Sequence, residues 1–168
     1  YQGLDLTPET LTALEAAARR SDTKRRGANM AAGQMLSKKE LTSRLTKKGA
    51  APEDAADTAD WLEELGVVDD AAYAGVIARH YGGMGYGAAR VRQELHRRGV
   101  PKELWDEALE QLPPPEETIR KFLRTKLRGR PLTPEDSRRL AAALQRRGFG
   151  WQDIRPALNE LGQEIDET

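Results

Sequence analysis

The sequence predicts an all-α fold, a tandem array of three three-helix repeats forming a curved, elongated rod with an extra N-terminal helix. Three observations predict it. Ala, Leu, Glu, Arg and Lys dominate, while aromatic and β-branched residues are few, a composition that favours helix throughout. A basic pair followed by glycine recurs as Lys47-Lys48-Gly49, Arg97-Arg98-Gly99 and Arg146-Arg147-Gly148, with the glycines 50 and then 49 residues apart. Six apolar columns run through the three copies: Leu41, Val91 and Leu140; Leu45, Leu95 and Leu144; Ala50, Val100 and Phe149; Ala55, Trp105 and Ile154; Ala59, Leu109 and Leu158; Leu62, Leu112 and Leu161. Self-similarity at such a period marks tandem copies of one supersecondary unit.

Each element follows from local signals. Tyr1 to Leu6 reads as extended. Thr7 caps a helix whose first turn holds Pro8, and Leu11 and Leu14 face inward as far as Arg20. The polar stretch from Ser21 to Asn29, with Gly27 inside it, is either a basic continuation of that helix or a break. Helix resumes from Ala28 to Leu36. Ser37-Lys-Lys-Glu40 is a capping box, so a new helix starts at Lys38 and ends at Lys48-Gly49. Pro52 opens the next, which carries Ala55, Ala59, Leu62 and Leu65 and ends at Gly66. Val67-Val68 packs the corner. Asp69 caps a helix with Tyr73, Val76 and Ile77 inside. Gly82-Gly-Met-Gly85 is the longest flexible break and reads as a hinge. Helices then run from Gly87 to Arg98 and from Lys102 to Gln111. Pro113-Pro-Pro115 is a stiff linker. Glu116 to Leu127 is a basic helix with Ile119, Phe122, Leu123 and Leu127 apolar. Thr133-Pro-Glu starts the last pair, Pro134 to Arg147 and Trp151 to Leu161.

These signals divide the chain into an N-terminal segment and helix at 1–27, repeats at 28–66, 69–112 and 116–162, and an acidic tail at 163–168. A repeat of roughly 40 to 50 residues buries too little surface to stand comfortably alone, so neighbours should stack. The first repeat has alanine where the others have larger apolar residues, and its thin core is expected to lean on Leu11 and Leu14.

Lys plus Arg equals Asp plus Glu, 27 of each, so net charge selects no partner. The distribution is uneven. From Ala51 to Ala71 there are eight acids and no Lys or Arg, whereas Ile119 to Arg147 holds ten bases against Glu135 and Asp136. Such polarity either makes one basic face or reflects ordinary solvated helices. The absence of cysteine excludes disulfides and thiolate chemistry and fits a reducing cytosol. There is no apolar run of bilayer length and no signal-peptide pattern at Tyr1.

Enzymatic signals are missing. Gly82-Gly-Met-Gly-Tyr-Gly87 follows a helix, not a strand, and lacks the Lys-Ser/Thr ending of a phosphate loop. His80 and His96 lie on different helices with no second ligand near in sequence, and the few serines have no obvious base. Asp69-Asp70 is explained by a helix N-terminus. Trp61, Trp105 and Trp151 fit core roles better than stacking platforms. No catalytic residue, metal or cofactor is expected, and folding should need neither metal nor nucleotide.

The most informative stretch is Gly85-Tyr-Gly-Ala-Ala-Arg-Val-Arg-Gln-Glu-Leu-His-Arg-Arg-Gly-Val100: a loop, an amphipathic basic helix and a stop. With Leu65-Gly-Val-Val-Asp-Asp-Ala-Ala-Tyr-Ala74 before it, and Ser37-Lys-Lys-Glu-Leu-Thr-Ser-Arg-Leu45 further upstream, it resembles the RecX family of bacterial recombination regulators, over roughly residues 28 to 162. The chain departs from the family in having alanine where proline usually follows Gly87. The resemblance implies a small cytoplasmic protein without catalytic activity. Such a protein binds the RecA–DNA filament in its helical groove and modulates ATPase, strand exchange and disassembly in recombination and repair. Tyr86, Arg90 and Arg92 match the family motif. Arg97, Arg98, Arg120, Lys121, Arg124 and Lys126 are added as RecA- or DNA-binding candidates from charge alone, on one basic face of the second and third repeats. The expected partners are the RecA filament and, weakly and through that face, bare single-stranded DNA; no membrane is expected, and the chain should be a monomer. Two other readings stay open: a helical-repeat protein that binds duplex DNA without RecA through recognition-type helices, and a protein-only scaffold that uses the acidic segment 51–71.

Overall fold

The computed structural model describes residues 7–166, with side-chain surroundings through 162; the extended start expected at 1–6 and the side chains of the acidic tail at 163–168 lie outside them. Among the described residues every regular element is helical. The chain forms two compact units that divide between Tyr73 and Ala74.

The first unit holds α1 (Pro8–Gly33), α2 (Lys38–Lys47), α3 (Pro52–Glu64) and the start of α4 (Asp70–Gly83). Its helix starts are those the residues specify. Thr7 accepts from the Thr10 N–H, Ser37 and Glu40 form the full capping box, and Asp69 accepts from the Ala72 N–H. The polar stretch at 21–29 is a continuation, so α1 is one helix of 26 residues rather than two. Asp22 bridges it by pairing with Arg25 and with Arg26 three and four positions on. The expected support from Leu11 and Leu14 is absent: they are 46% and 52% exposed. Only the second half of α1 meets the core of Leu36, Leu41, Leu45, Ala55, Ala59, Leu62 and Val68. It does so closely because Gly27 has no side chain; a Cβ there would lie 2.5 Å from the Thr58 methyl. Leu65 and Val67, expected inside, are exposed, while Val68 fills the corner.

The second unit holds the rest of α4, then α5 (Ala88–Arg97), a 3-10 turn (Lys102–Leu104) leading into α6 (Trp105–Leu109), α7 (Pro115–Leu127), α8 (Pro134–Arg146) and α9 (Trp151–Asp166). The expected helix from 102 to 111 is thus shorter and tighter, and Ala108 rather than Leu109 is its fully buried residue. Val76 and Trp151 are exposed, against expectation. Ile119, Leu123, Leu127, Leu140, Leu144, Phe149, Ile154 and Leu158 form the core of α7, α8 and α9.

The three basic-pair turns share one hydrogen-bond pattern. Gly49, Gly99 and Gly148 have φ of +98°, +74° and +97°. Each donates to the carbonyl three residues back, and the next residue donates to the carbonyl five back: Ala50 to Leu45, Val100 to Leu95, Phe149 to Leu144. This is the Schellman closure, in which the apolar residue after the glycine covers the last turn of its own helix. Two of the recurring columns, Leu45–Leu95–Leu144 and Ala50–Val100–Phe149, are joined by it. Of the eighteen positions in all six columns none is exposed, and Leu41, Val91, Leu45, Leu95 and Leu144 are at most 1% accessible.

Candidate nucleic-acid interface

Within the glycine stretch at 82–87, read as a hinge, Gly82 and Gly87 are buried while Gly83 and Met84 are exposed. Gly82 and Gly83 belong to α4, and a Cβ on Gly82 would lie 2.8 Å from Leu112. Gly85, at φ +84°, closes α4 in the same Schellman manner, so the Tyr86 N–H reaches the Tyr81 carbonyl and the two rings meet edge to face at 5.7 Å. Gly87 then caps α5 with no side chain to offer. The first N–H groups of a helix have no internal partner. Here carbonyls from the turn after α8 serve: Gly87 N–H donates to Arg147 O at 2.8 Å and Ala89 N–H to Gly148 O at 3.1 Å. The approach is so close that a Cβ on Gly87 would sit 2.5 Å from Gly148 O.

That contact brings the Arg147 guanidinium onto the turn. Its Nη1 donates to the carbonyls of Met84 at 3.2 Å and Gly85 at 3.5 Å. Its Cζ lies 5.4 Å from the Tyr86 ring and 5.1 Å from the Phe122 ring. Arg90 lies 5.5 Å from Tyr86, and the Lys126 ammonium 5.7 Å from Phe122. Three cations and two aromatic rings therefore alternate across α5, the 147 turn and α7.

Glu94 organises the other side of α5. It is buried, yet carries charge because cations surround it: Arg97 donates at 2.7 and 3.2 Å, Arg98 at 3.4 Å, and Arg90 approaches at 3.5 Å. The Arg97 bonds foremost, with a Tyr81 hydroxyl bond and against the effect of burial, hold its pKa below the ordinary 4.5. A carboxylate whose folded pKa is depressed adds stability above the unfolded value and loses it as pH falls through the folded one. Urea midpoints should therefore drop more steeply on acidification for wild type than for Glu94→Gln, and Glu94→Gln should be the less stable of the two at neutral pH. Parallel curves would show that the arginines do not hold the charge. Asp70, raised chiefly by burial, contributes with the opposite sign in both proteins.

The residues expected on one basic face differ in what they contact. Tyr86 and Arg90 are in contact and are linked to Lys126 through Arg147 and Phe122; Arg97 and Arg98 are engaged with Glu94. Arg120 pairs with Glu160 of α9 at 3.2 Å, and Arg124 lines the same side of α7. Lys121 is exposed. Arg92 is exposed and borders an open groove of about 520 Å³ with Ala88, Leu112, Phe149 and Asp153. Among the described residues Arg92, Lys121, Arg124, Lys126 and Arg147 form no ion pair. The site residues not singled out from sequence are Arg147 and Phe122. Phe122 reads as core, and Arg147 as one of ten bases; the available signal was the repeat itself, which sets Arg147 at the glycine turn. Among the described residues no group of three or more His, Asp or Glu could hold a metal, and no helix is long and apolar enough to cross a membrane.

The RecX second and third three-helix domains match residues 69–109 and 115–158. The regulatory protein RecX of Chlorobaculum tepidum is 34% identical over 139 residues, covering 79% of this chain and 84% of that protein. The regulatory proteins RecX of Pseudomonas putida and Streptomyces coelicolor are 33% and 32% identical, over 76% and 80% of this chain and 82% and 76% of theirs. A crystal structure of a regulatory protein RecX superposes with a TM-score of 0.80 at 21% identity, over 95% of this chain and 81% of that one. That of RecX from Lactobacillus salivarius gives 0.77 at 16% identity, over 88% and 99%. At these identities the two structures speak to the fold alone.

Proposed function

Because this chain belongs to the RecX family of regulatory proteins, we propose that it is a non-catalytic cytoplasmic regulator that binds the RecA–single-stranded DNA filament as a monomer and modulates RecA ATPase and strand exchange. The observation that carries this reading is the family match over residues 69–109 and 115–158, most of which lie in the second unit; that unit also holds the cations of α5, α7 and the 147 turn that form no ion pair among the described residues. Phosphate contacts by such cations choose no base sequence. Specificity would then come from RecA surface bound at the same time.

The test is RecA ATPase on single-stranded DNA with and without the protein, beside binding to bare and RecA-coated strands across a salt series. ATPase should change, and coated strands should bind more tightly than bare ones. Four or five phosphate contacts give a log–log salt slope of about −3. Charge reversal belongs at Lys121→Glu with Arg124→Glu, since reversing Arg120 would also set two carboxylates together at Glu160. The double variant should keep its helical signal and lose coated-strand affinity. Equal wild-type binding to bare and coated strands, or preferred binding to duplex, would favour a DNA-binding array that acts without RecA.

A further inference from the structure

We propose that the ladder Lys126–Phe122–Arg147–Tyr86–Arg90 is a phosphate-binding site for a single strand of DNA, with Arg147 and Lys126 as its principal contacts and Arg97 and Arg98 outside it. The inference rests on the reading that the partner contains such a strand.

Charge bookkeeping within the second unit leads to it. Three cations share two rings at 5.1 to 5.7 Å. Ring faces attract cations but cancel no charge. The carboxylate at hand is Glu94, which approaches Arg90 at 3.5 Å and bonds more tightly to Arg97 at 2.7 Å. Among the described residues no carboxylate pairs with Arg147 or Lys126. The fold thus holds like charges together and leaves their excess uncancelled. Arg90 Nε is enclosed, with no hydrogen-bond partner among the described residues, so Arg90 can offer a phosphate only its terminal nitrogens and is a lesser contact than Arg147 and Lys126.

The neighbouring cations differ. Arg97 and Arg98 are engaged with a buried carboxylate, and Arg120 with Glu160. The ladder's chemistry also narrows the ligand. Its rings already carry guanidinium and ammonium groups, so they are poor platforms for stacked bases. The donors that remain are guanidinium forks and an ammonium, the groups that match phosphate oxygens. Binding through the ladder is therefore backbone-directed and indifferent to base sequence.

The experiment is titration of a fluorescein-labelled oligothymidylate at several salt concentrations. Lys126→Ala is the primary variant, because that side chain is exposed and its recorded contact is with one ring. Arg147→Gln is the second; it leaves the main-chain carbonyls that cap α5 in place. Each should weaken binding several-fold and flatten the log–log slope by about 0.7, one phosphate's share. Arg97→Ala should leave the slope unchanged, and polyglutamate should compete poorly. Three outcomes overturn the proposal: no wild-type binding at low salt, an unaltered slope in Lys126→Ala, or competition by polyglutamate as strong as by unlabelled oligonucleotide, which would make this a site for an acidic protein segment. RecA ATPase measured beside these separates the two readings. A wild type without effect on RecA defeats the filament assignment while the oligonucleotide titration still decides the ladder. Normal regulation of RecA by variants with unaltered slopes defeats the ladder alone.

Discussion

Leu95→Ala should destabilise the second unit by about 2–5 kcal/mol, the usual cost of emptying a leucine site in a core. Leu95 is fully buried, its carbonyl accepts the Val100 N–H, and Val100 closes over the same turn. The substitution therefore opens a cavity where the end of α5 is fastened. The companion Arg92→Ala removes an exposed side chain with no ion pair among the described residues and should fall within about 0.5 kcal/mol of wild type. Urea unfolding followed by circular dichroism measures both. Equal losses would mean that the buried and exposed faces of α5 had been reversed.

The contrast between these two residues also shows what could be read from sequence. The apolar columns, the capping box at Ser37 and the glycine closures are local signals, each with one cheap structural solution, and the protein adopts them. Leu11 and Leu14 mislead because periodicity shows which residues share a helix face, not whether another element covers it. Asp22 pairs locally with Arg25 and Arg26 where α1 runs on through 21–29, but the place of Gly27 in it reflects a fit against Thr58, a contact made far along the chain. The site was legible in part. Tyr86 and Arg90 belong to a recognisable stretch, but charge counting gives Arg97 and Arg147 equal weight. Glu94 pairs with Arg97 three positions on along one helix, a signal local spacing carries, whereas only the fold places Arg147 between two rings.

Gly148→Ala should be more damaging than Gly49→Ala, the matching substitution in the first basic-pair turn. Both glycines sit near the same φ, +97° and +98°, so both alanines carry the strain of a left-handed residue, about 1–2 kcal/mol. Around Gly49 a Cβ would meet nothing within 4 Å. On Gly148 it would lie 2.5 Å from the Arg90 backbone nitrogen and 2.8 Å from Arg90 Cβ, atoms of a helix with little room to yield. Overpacking of that kind adds roughly another 1–3 kcal/mol, or pushes the 147 turn off the start of α5. If the turn moves, Gly87 and Ala89 lose the carbonyls that cap them, and the Arg147 guanidinium leaves Tyr86. Chemical denaturation of the two variants isolates the contact, because the shared strain cancels in their difference. Gly148→Ala should be the less stable by at least about 1 kcal/mol and should also lose oligothymidylate affinity, while Gly49→Ala keeps it. Equal stabilities would show that the turn after α8 can detach from α5 without cost. The capping of one repeat by the next would then contribute nothing to holding Arg147 between Tyr86 and Phe122.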